Sequence, residues 1–244
     1  MRQHFRIVIL RALGFALLGV RGTRVSSALK LHPFGEAISD EIRRDDVHYD
    51  LLNLARVWLR VKPKNVIDVG ANLGNHAHFF ASKGATVAAF EPSKANFALL
   101  EQNLRAKNRG RTFKVAIGRT SGFVELAFVA GDMGSTHVRG AMALESDASS
   151  PSERVALEPL DKFQIHSVDL IKIDVEGYEL EVLAGAEETL KRCKPWVWLE
   201  LHEDENLVNA SIPYSRRDIV SWLNERGFTR VLQLDPTNFL FRTA

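Results

Sequence analysis

Lys172, Asp174 and Glu176 alternate where a buried-type run, Val168 to Ile173, gives way to Asp174-Val175-Glu176-Gly177. An extended backbone sends alternate side chains to one side, so the three converge if that period persists. A carboxylate placed there can take the proton of a hydroxyl as its oxygen attacks, with Lys172 steadying the charge. Upstream, Asp68 ends a β-branched run, and Gly70, Asn72 and Gly74 follow it in the pattern D-x-G-x-N-x-G. Gly70 permits a backbone that side chains resist, and Gly74 lets a helix amino terminus approach a ligand. Glu91 ends the next apolar run and can accept both hydroxyls of a ribose. His202, in Glu200-Leu201-His202-Glu203 at the end of a later run, is a further candidate base.

Strand ends of this kind hold adenosine-containing cofactors in α/β sheets. Asp68 precedes the glycines, where it can offset the ammonium or sulfonium charge of S-adenosylmethionine; NAD carries no such charge. A dinucleotide fold would want a third glycine where His76 and Ala77 stand. S-adenosylmethionine is therefore the expected cofactor. Asp174 with Glu200 could hold a divalent ion, but no compact ligand set is present. His76 and His78 diverge on a helix, so they are expected to pack rather than bind metal. No metal is expected. Trp196 and Trp198 share a strand face and are expected in the core.

Positioning these residues requires strands alternating with helices. Strands are predicted at Asn65–Val69, Thr86–Phe90, Thr112–Ile117, Phe123–Val129, Val168–Ile173 and Pro195–Leu201. Asp46 is the predicted cap of a helix reaching Leu59, and Ser93 that of a helix through Leu104. Further helices are predicted over Tyr178–Leu190 and Ser215–Arg226. Arg230–Leu234 and Asn238–Phe241 read as a terminal hairpin. The segment from Ala130 to Ser152 reads as a long loop whose Asp132, Ser135, Thr136, His137 and Arg139 cover an acceptor. The order implies a mostly parallel sheet with helices on both faces.

Composition narrows the partners. The chain of 244 residues has a net charge of +2 and a single cysteine, Cys193, so an intramolecular disulfide is excluded. Its first 30 residues hold Arg2, Arg6, Arg11, Arg21, Arg24 and Lys30 and no acid. The remainder is mildly acidic, which argues against a nucleic-acid partner. Ile7 to Val20 is apolar but shorter than the ~20 residues that span a bilayer, and Arg11 interrupts it. It reads as a docking helix, as a helix lying on an anionic membrane surface, or as a secretory signal. Export would part the protein from cytosolic cofactor, so the expected location is cytoplasmic, with peripheral contact to the inner membrane through residues 1–30. Residues 1–45 are expected as an extension and 46–244 as the catalytic domain.

The strings IDVGANLGNHAHFFA, AAFEPSKANFALLEQNL, VAIG, PLDKF and DLIKIDVEGYELEVLAGAEETLKRCKPWVWLE together resemble the FkbM-type methyltransferases, from about Pro63 to Glu203. The resemblance implies a class I, Rossmann-like three-layer sandwich with a seven-stranded sheet ending in an antiparallel hairpin. It implies cofactor contacts at Asp68, Gly70, Asn72, Gly74 and Glu91, and an active-site role for Lys172, Asp174 and Glu176. Members O-methylate sugars and polyketide or other natural-product hydroxyls, so the expected acceptor is a hydroxyl of an oligosaccharide, glycolipid or small molecule. Length and the basic extension also resemble members acting on nodulation factors, which implies 2-O-methylation of their fucose as the narrower expectation. A catalytically silent cofactor-binding protein is the alternative outside enzymology. Two positions depart from the family pattern: Lys162 after Leu160-Asp161, and His76 where an aromatic residue often stands.

Overall fold

Within the first strand, neighbouring residues belong to two different cores, and that division sets the architecture. The computed structural model describes residues 25–33, 36–105, 107–129, 132–138, 151–201 and 214–243. Helices α1 (Val25–Ala28), α2 (Ala37–Asp45) and α3 (Leu51–Val61) precede β1 (Asn65–Val69). Then come α4 (Asn75–Ser82), β2 (Thr86–Phe90), α5 (Lys94–Arg105) and β3 (Gly110–Phe113). Strands β4 (Ala116–Ile117), β5 (Gly122–Val129), β6 (Asp132–Val138) and β7 (Ser152–Glu158) follow. The chain continues with β8 (Leu170–Ile173), α6 (Glu179–Gly185), α7 (Glu187–Cys193) and β9 (Trp196–Glu200). It ends with α8 (Arg216–Glu225), β10 (Phe228–Gln233) and β11 (Asn238–Thr243).

Ile67 and Val69 pack with Ile171, Ile173, Val197 and Leu199 against α6, α7 and α8. Val66, Val87, Leu170 and Trp198 pack on the other face against α3, α4 and α5. The sheet order is β10-β11-β9-β8-β1-β2-β3, with β1, β2, β3, β8 and β9 parallel and the last hairpin antiparallel. That is the expected three-layer sandwich. Trp198 is in the core as expected, and its indole N–H donates to Asn238 Oδ1 at 2.7 Å. Leaving that donor unpaired would cost roughly 1–3 kcal/mol.

Several local expectations give way to tertiary context. Asp46 does not start a helix; in the left-handed region it closes α2, and its Oδ1 accepts from the Ser26 N–H and hydroxyl. Asp50 begins α3 instead. The Ser93 hydroxyl is buried without a hydrogen-bond partner, so it does not cap α5. The strand predicted over Thr112–Ile117 divides between two sheets, β3 in the large one and β4 in a second sheet of order β4-β7-β5-β6. Within the predicted loop, β6 pairs antiparallel with β5, and β7 pairs with β5 on its other side. The helix predicted over Tyr178–Leu190 is two, α6 and α7. A Cβ at Gly185 would stand 1.9 Å from the Gly118 carbonyl oxygen, and Asp161 caps α7 from afar by accepting from the Glu188 and Thr189 N–H groups.

Residues 25–33 and 36–45, part of the expected extension, pack against the rest of the fold. Leu29, Glu36 and Ile42 are buried, and Lys30 exchanges hydrogen bonds with Asn103 of α5. Residues 1–24, Arg139 and His202 lie outside the described residues. Among the described residues no helix is long and apolar enough to cross a membrane.

Candidate active site

The carboxyl ends of β1, β2, β8 and β9 surround a crevice of about 200 Å³. Parallel strands deliver their terminal residues to one edge, which is why distant acids meet there. Gly70 turns the chain out of β1 with φ +78°, and a Cβ at this position would stand 1.7 Å from the Asp174 carbonyl oxygen. Only glycine lets these strand ends approach so closely. Gly74, φ +91°, opens α4; a Cβ there would lie 2.8 Å from Leu100 Cδ1, so packing of α4 on α5 supplies its reason rather than the crevice wall.

Glu91 and Asn72 face the crevice from one side. The Glu91 carboxyl group accepts from the Asn72 and Ser93 N–H groups, each at 2.8 Å, and is also hydrogen-bonded by the Asn96 side chain. Burial pushes Glu91 up to about 7 against the opposing pull of these donors. His32 Nε2 lies 2.8 Å from Asn96 Oδ1, so residues ahead of α2 brace this corner.

Asp174, Glu176 and Glu200 line the opposite side. The extended period ends at Ile173: Glu176 sits at φ +53° and Gly177 at φ +93°. Lys172, Asp174 and Glu176 therefore do not converge as alternate strand residues. Lys172 is 2% exposed and lies behind the wall, its Nζ 2.9 Å from Asp174 Oδ2 and 3.8 Å from Asp68 Oδ1. Burial alone would push the lysine pKa down; Asp174, then Asp68, outweigh it and hold the pKa above its ordinary value. It is an ammonium in the folded protein. Asp68 is equally buried, opposite Lys172 in register, and neither of its oxygens has a hydrogen-bond partner. Two carboxyl groups thus share one ammonium directly behind the crevice.

Tyr49 and His76 complete the crevice on the α3–α4 side, and Thr136 and His137 of β6 on another. His76 packs edge-on to Tyr49 and Trp198. His78 Nδ1 lies 3.0 Å from His48 Nε2; burial lowers His78 to about 4 and holds His48 well below the usual imidazole range. His76 and His78, the pair that diverges on α4, thus pack against different neighbours, Tyr49 and Trp198 for the first and His48 for the second. Among the described residues no group of three His, Cys, Asp or Glu is arranged to hold a metal ion. Tyr49 and Asn96 were not legible as site residues; only the asparagine's place in the first helical turn after Glu91 hinted at it.

A seven-stranded, mostly parallel sheet with these strand-end acids defines a class I methyltransferase. The methyltransferase FkbM domain matches residues 68–230, more than half of the chain, and the chain belongs to that family. It is a methyltransferase dependent on S-adenosylmethionine. The 2-O-methyltransferase NoeI of Sinorhizobium fredii is 27% identical over 209 residues, covering 79% of this chain and 83% of that protein. The 31-O-demethyl-FK506 methyltransferase FkbM of Streptomyces tacrolimicus is 27% identical over 213 residues, covering 74% and 79%. The hexuronic acid methyltransferase AglP of Haloferax volcanii is 29% identical over 136 residues, covering 55% and 54%. In fold, a candidate caffeoyl-CoA O-methyltransferase of Staphylococcus aureus superposes with a TM-score of 0.56 at 14% identity, covering 98% of this chain and all of that one.

Proposed function

We propose that this enzyme methylates a sugar hydroxyl of an oligosaccharide or glycolipid, with a 2-hydroxyl the first position to test. One observation carries the reading: Asp174 and Glu176 wall the crevice beside Gly70, where a hydroxyl acceptor needs a proton acceptor. One matched relative, named for a hexuronic acid, supports a sugar, and another, named for 2-O-methylation, supports the position. The fucose of a nodulation factor is the narrowest form of the proposal.

The residues fit the methyl donor. Bound there, it supplies a methyl group already activated on a positively charged sulfur. Asp68, with two buried oxygens lacking hydrogen bonds, offsets that charge from behind the wall. Gly70 and Asn72 shape the wall, Gly74 starts the helix behind it, and Glu91 accepts the ribose hydroxyls. Asp174 or Glu176 takes the acceptor's proton as the new C–O bond forms, because a free hydroxyl is too weak an acid to release it unaided. Lys172 orients Asp174 through their 2.9 Å contact. His202 is retained as a second candidate base.

Labelled donor offered with fucosylated oligosaccharides, other neutral glycans, a hexuronic acid and a macrolide tests the acceptor. Label located by mass spectrometry on a sugar hydroxyl supports the reading; label only on the macrolide, or on no acceptor, overturns it.

Glu91 makes donor-site binding depend on pH. Burial raises its pKa to about 7 from the ordinary carboxyl value of 4.5. Its contribution to stability is therefore full below the unfolded value and is lost as pH rises through about 7. Ribose hydroxyls favour the ionised carboxylate, so binding releases a proton near neutrality. Affinity for S-adenosylhomocysteine is expected to fall by up to about tenfold per unit below pH 7 and to level off above it. Calorimetry in buffers of different ionisation enthalpy checks this; affinity flat from pH 5 to 8 removes Glu91 from the ribose site.

A further inference from the structure

Two ties run from the segment ahead of α2 to the Glu91 corner of the crevice. His32 Nε2 lies 2.8 Å from Asn96 Oδ1, and the Asn96 side chain is hydrogen-bonded to Glu91. The Lys30 N–H donates to Asn103 Oδ1, and Asn103 Nδ2 donates to the Lys30 carbonyl at 3.0 Å and the Leu73 carbonyl at 2.7 Å. Leu73 follows Asn72, whose N–H reaches Glu91 Oε2. The segment is itself anchored. The His32 N–H donates to Ser39 Oγ at 3.1 Å, and the two Glu36 oxygens accept from the Ile38 and Ser39 N–H groups. Ala37 and Ile38, at the start of α2, then line the crevice.

The contact between His32 and Asn96 is buried. A carboxamide can turn over with almost no change of shape, exchanging its oxygen for its NH2 group. With Oδ1 accepting from the His32 Nε2–H, Nδ2 is left to donate to Glu91. Turned over, the amide would set its oxygen against the carboxylate. A histidine carries Nε2–H both as an imidazolium and in one neutral tautomer, so this lock does not depend on its charge. Glu36, the acid on the same segment, spends its carboxylate on capping α2. Besides burial, Asp68 of β1 opposes ionisation of Glu91, and the Ser93, Asn72 and Asn96 donors favour it.

We propose that His32 is a positioning residue of the donor site: by fixing the Asn96 amide it keeps a hydrogen-bond donor on Glu91 and readies that carboxylate for the ribose hydroxyls. The inference rests on Glu91 as the ribose acceptor. It makes residues 30–33 and 36–39 part of the donor site rather than a leader to it. A buried carboxyl group that loses one donor is harder to ionise. The effect of His32 is therefore largest where Glu91 must give up a proton on binding, and it fades where Glu91 is already ionised.

Calorimetric titration of the full chain with S-adenosylhomocysteine at pH 6 and pH 8.5 tests this. His32→Phe keeps a ring but removes the donor. Its affinity is expected to fall about tenfold at pH 6 and no more than about threefold at pH 8.5. His32→Leu repeats the test with a smaller side chain, should the larger ring not fit. His32→Gln, whose amide N–H can serve Asn96 Oδ1, should stay within about threefold of wild type at both pH values; a tenfold loss there overturns the proposal. Lys30→Ala leaves the main-chain bonds to Asn103 in place and should match wild type. An equal loss at both pH values in the apolar variants makes His32 a packing residue and overturns the proposal, as does unchanged affinity at pH 6. Wild-type affinity that is the same at pH 6 and pH 8.5 fails differently: it removes Glu91 from the ribose site, and the role of His32 with it.

Discussion

Asp174→Asn is expected to slow turnover by roughly 10²–10⁴-fold, the usual worth of a positioned general base. Affinity for S-adenosylhomocysteine should stay within a few-fold of wild type. The amide fills the volume of the carboxylate but cannot accept the acceptor's proton as the C–O bond forms. Lys172 keeps Asp68 at 3.8 Å, so the buried cluster retains a counterion and the fold should hold. Glu176→Gln is the matched comparison, because Glu176 lines the same crevice from the left-handed turn after β8. Whichever variant loses more in single-turnover rate, with product affinity preserved, carries the base. Wild-type rates in both would remove the pair and move the role to His202. Because product release limits many enzymes, the pre-steady-state rate is the quantity to read.

The strand ends were readable for a physical reason. β1, β2 and β8 are buried on both faces, so they appear as unbroken apolar runs, and a parallel sheet gathers their last residues at one edge. Asp68, Glu91, Asp174 and Glu176 followed from that alone. Glu176 did not keep the strand's period, because a left-handed turn replaces it, and nothing local except Gly177 signals that turn. β6 was hidden because Gly134 and Ser135 blur its alternation and its pairing partner β5 supplies the register. The break between α6 and α7 is set by Gly118 and Asp161, both distant in sequence from the helices they divide. Tyr49 and Asn96 reach the crevice through helix packing. Local pattern specified the sheet; long-range contacts specified the walls around its edge.

Lys172→Met should be the most destabilising single change at the site. The thioether can pack beside Trp198, whose ring lies 6.0 Å from Nζ, so volume is nearly conserved. What is lost is the ammonium between two carboxyl groups, one of them 1% exposed and without hydrogen bonds. Breaking a buried ion pair on one side costs about 3–5 kcal/mol, because the remaining charge is left uncompensated. For a chain of this size that is a fall of roughly 10 °C in Tm. Asp68→Asn added to Lys172→Met should recover part of the loss, since the amide removes one of the stranded charges. Denaturant unfolding of wild type, both single variants and the double variant gives the coupling, expected to exceed about 1 kcal/mol. Additive losses would mean that Asp68 and Lys172 do not sense each other across 3.8 Å, and the account of Asp68 as a charge held for the donor's sulfur would fall with them.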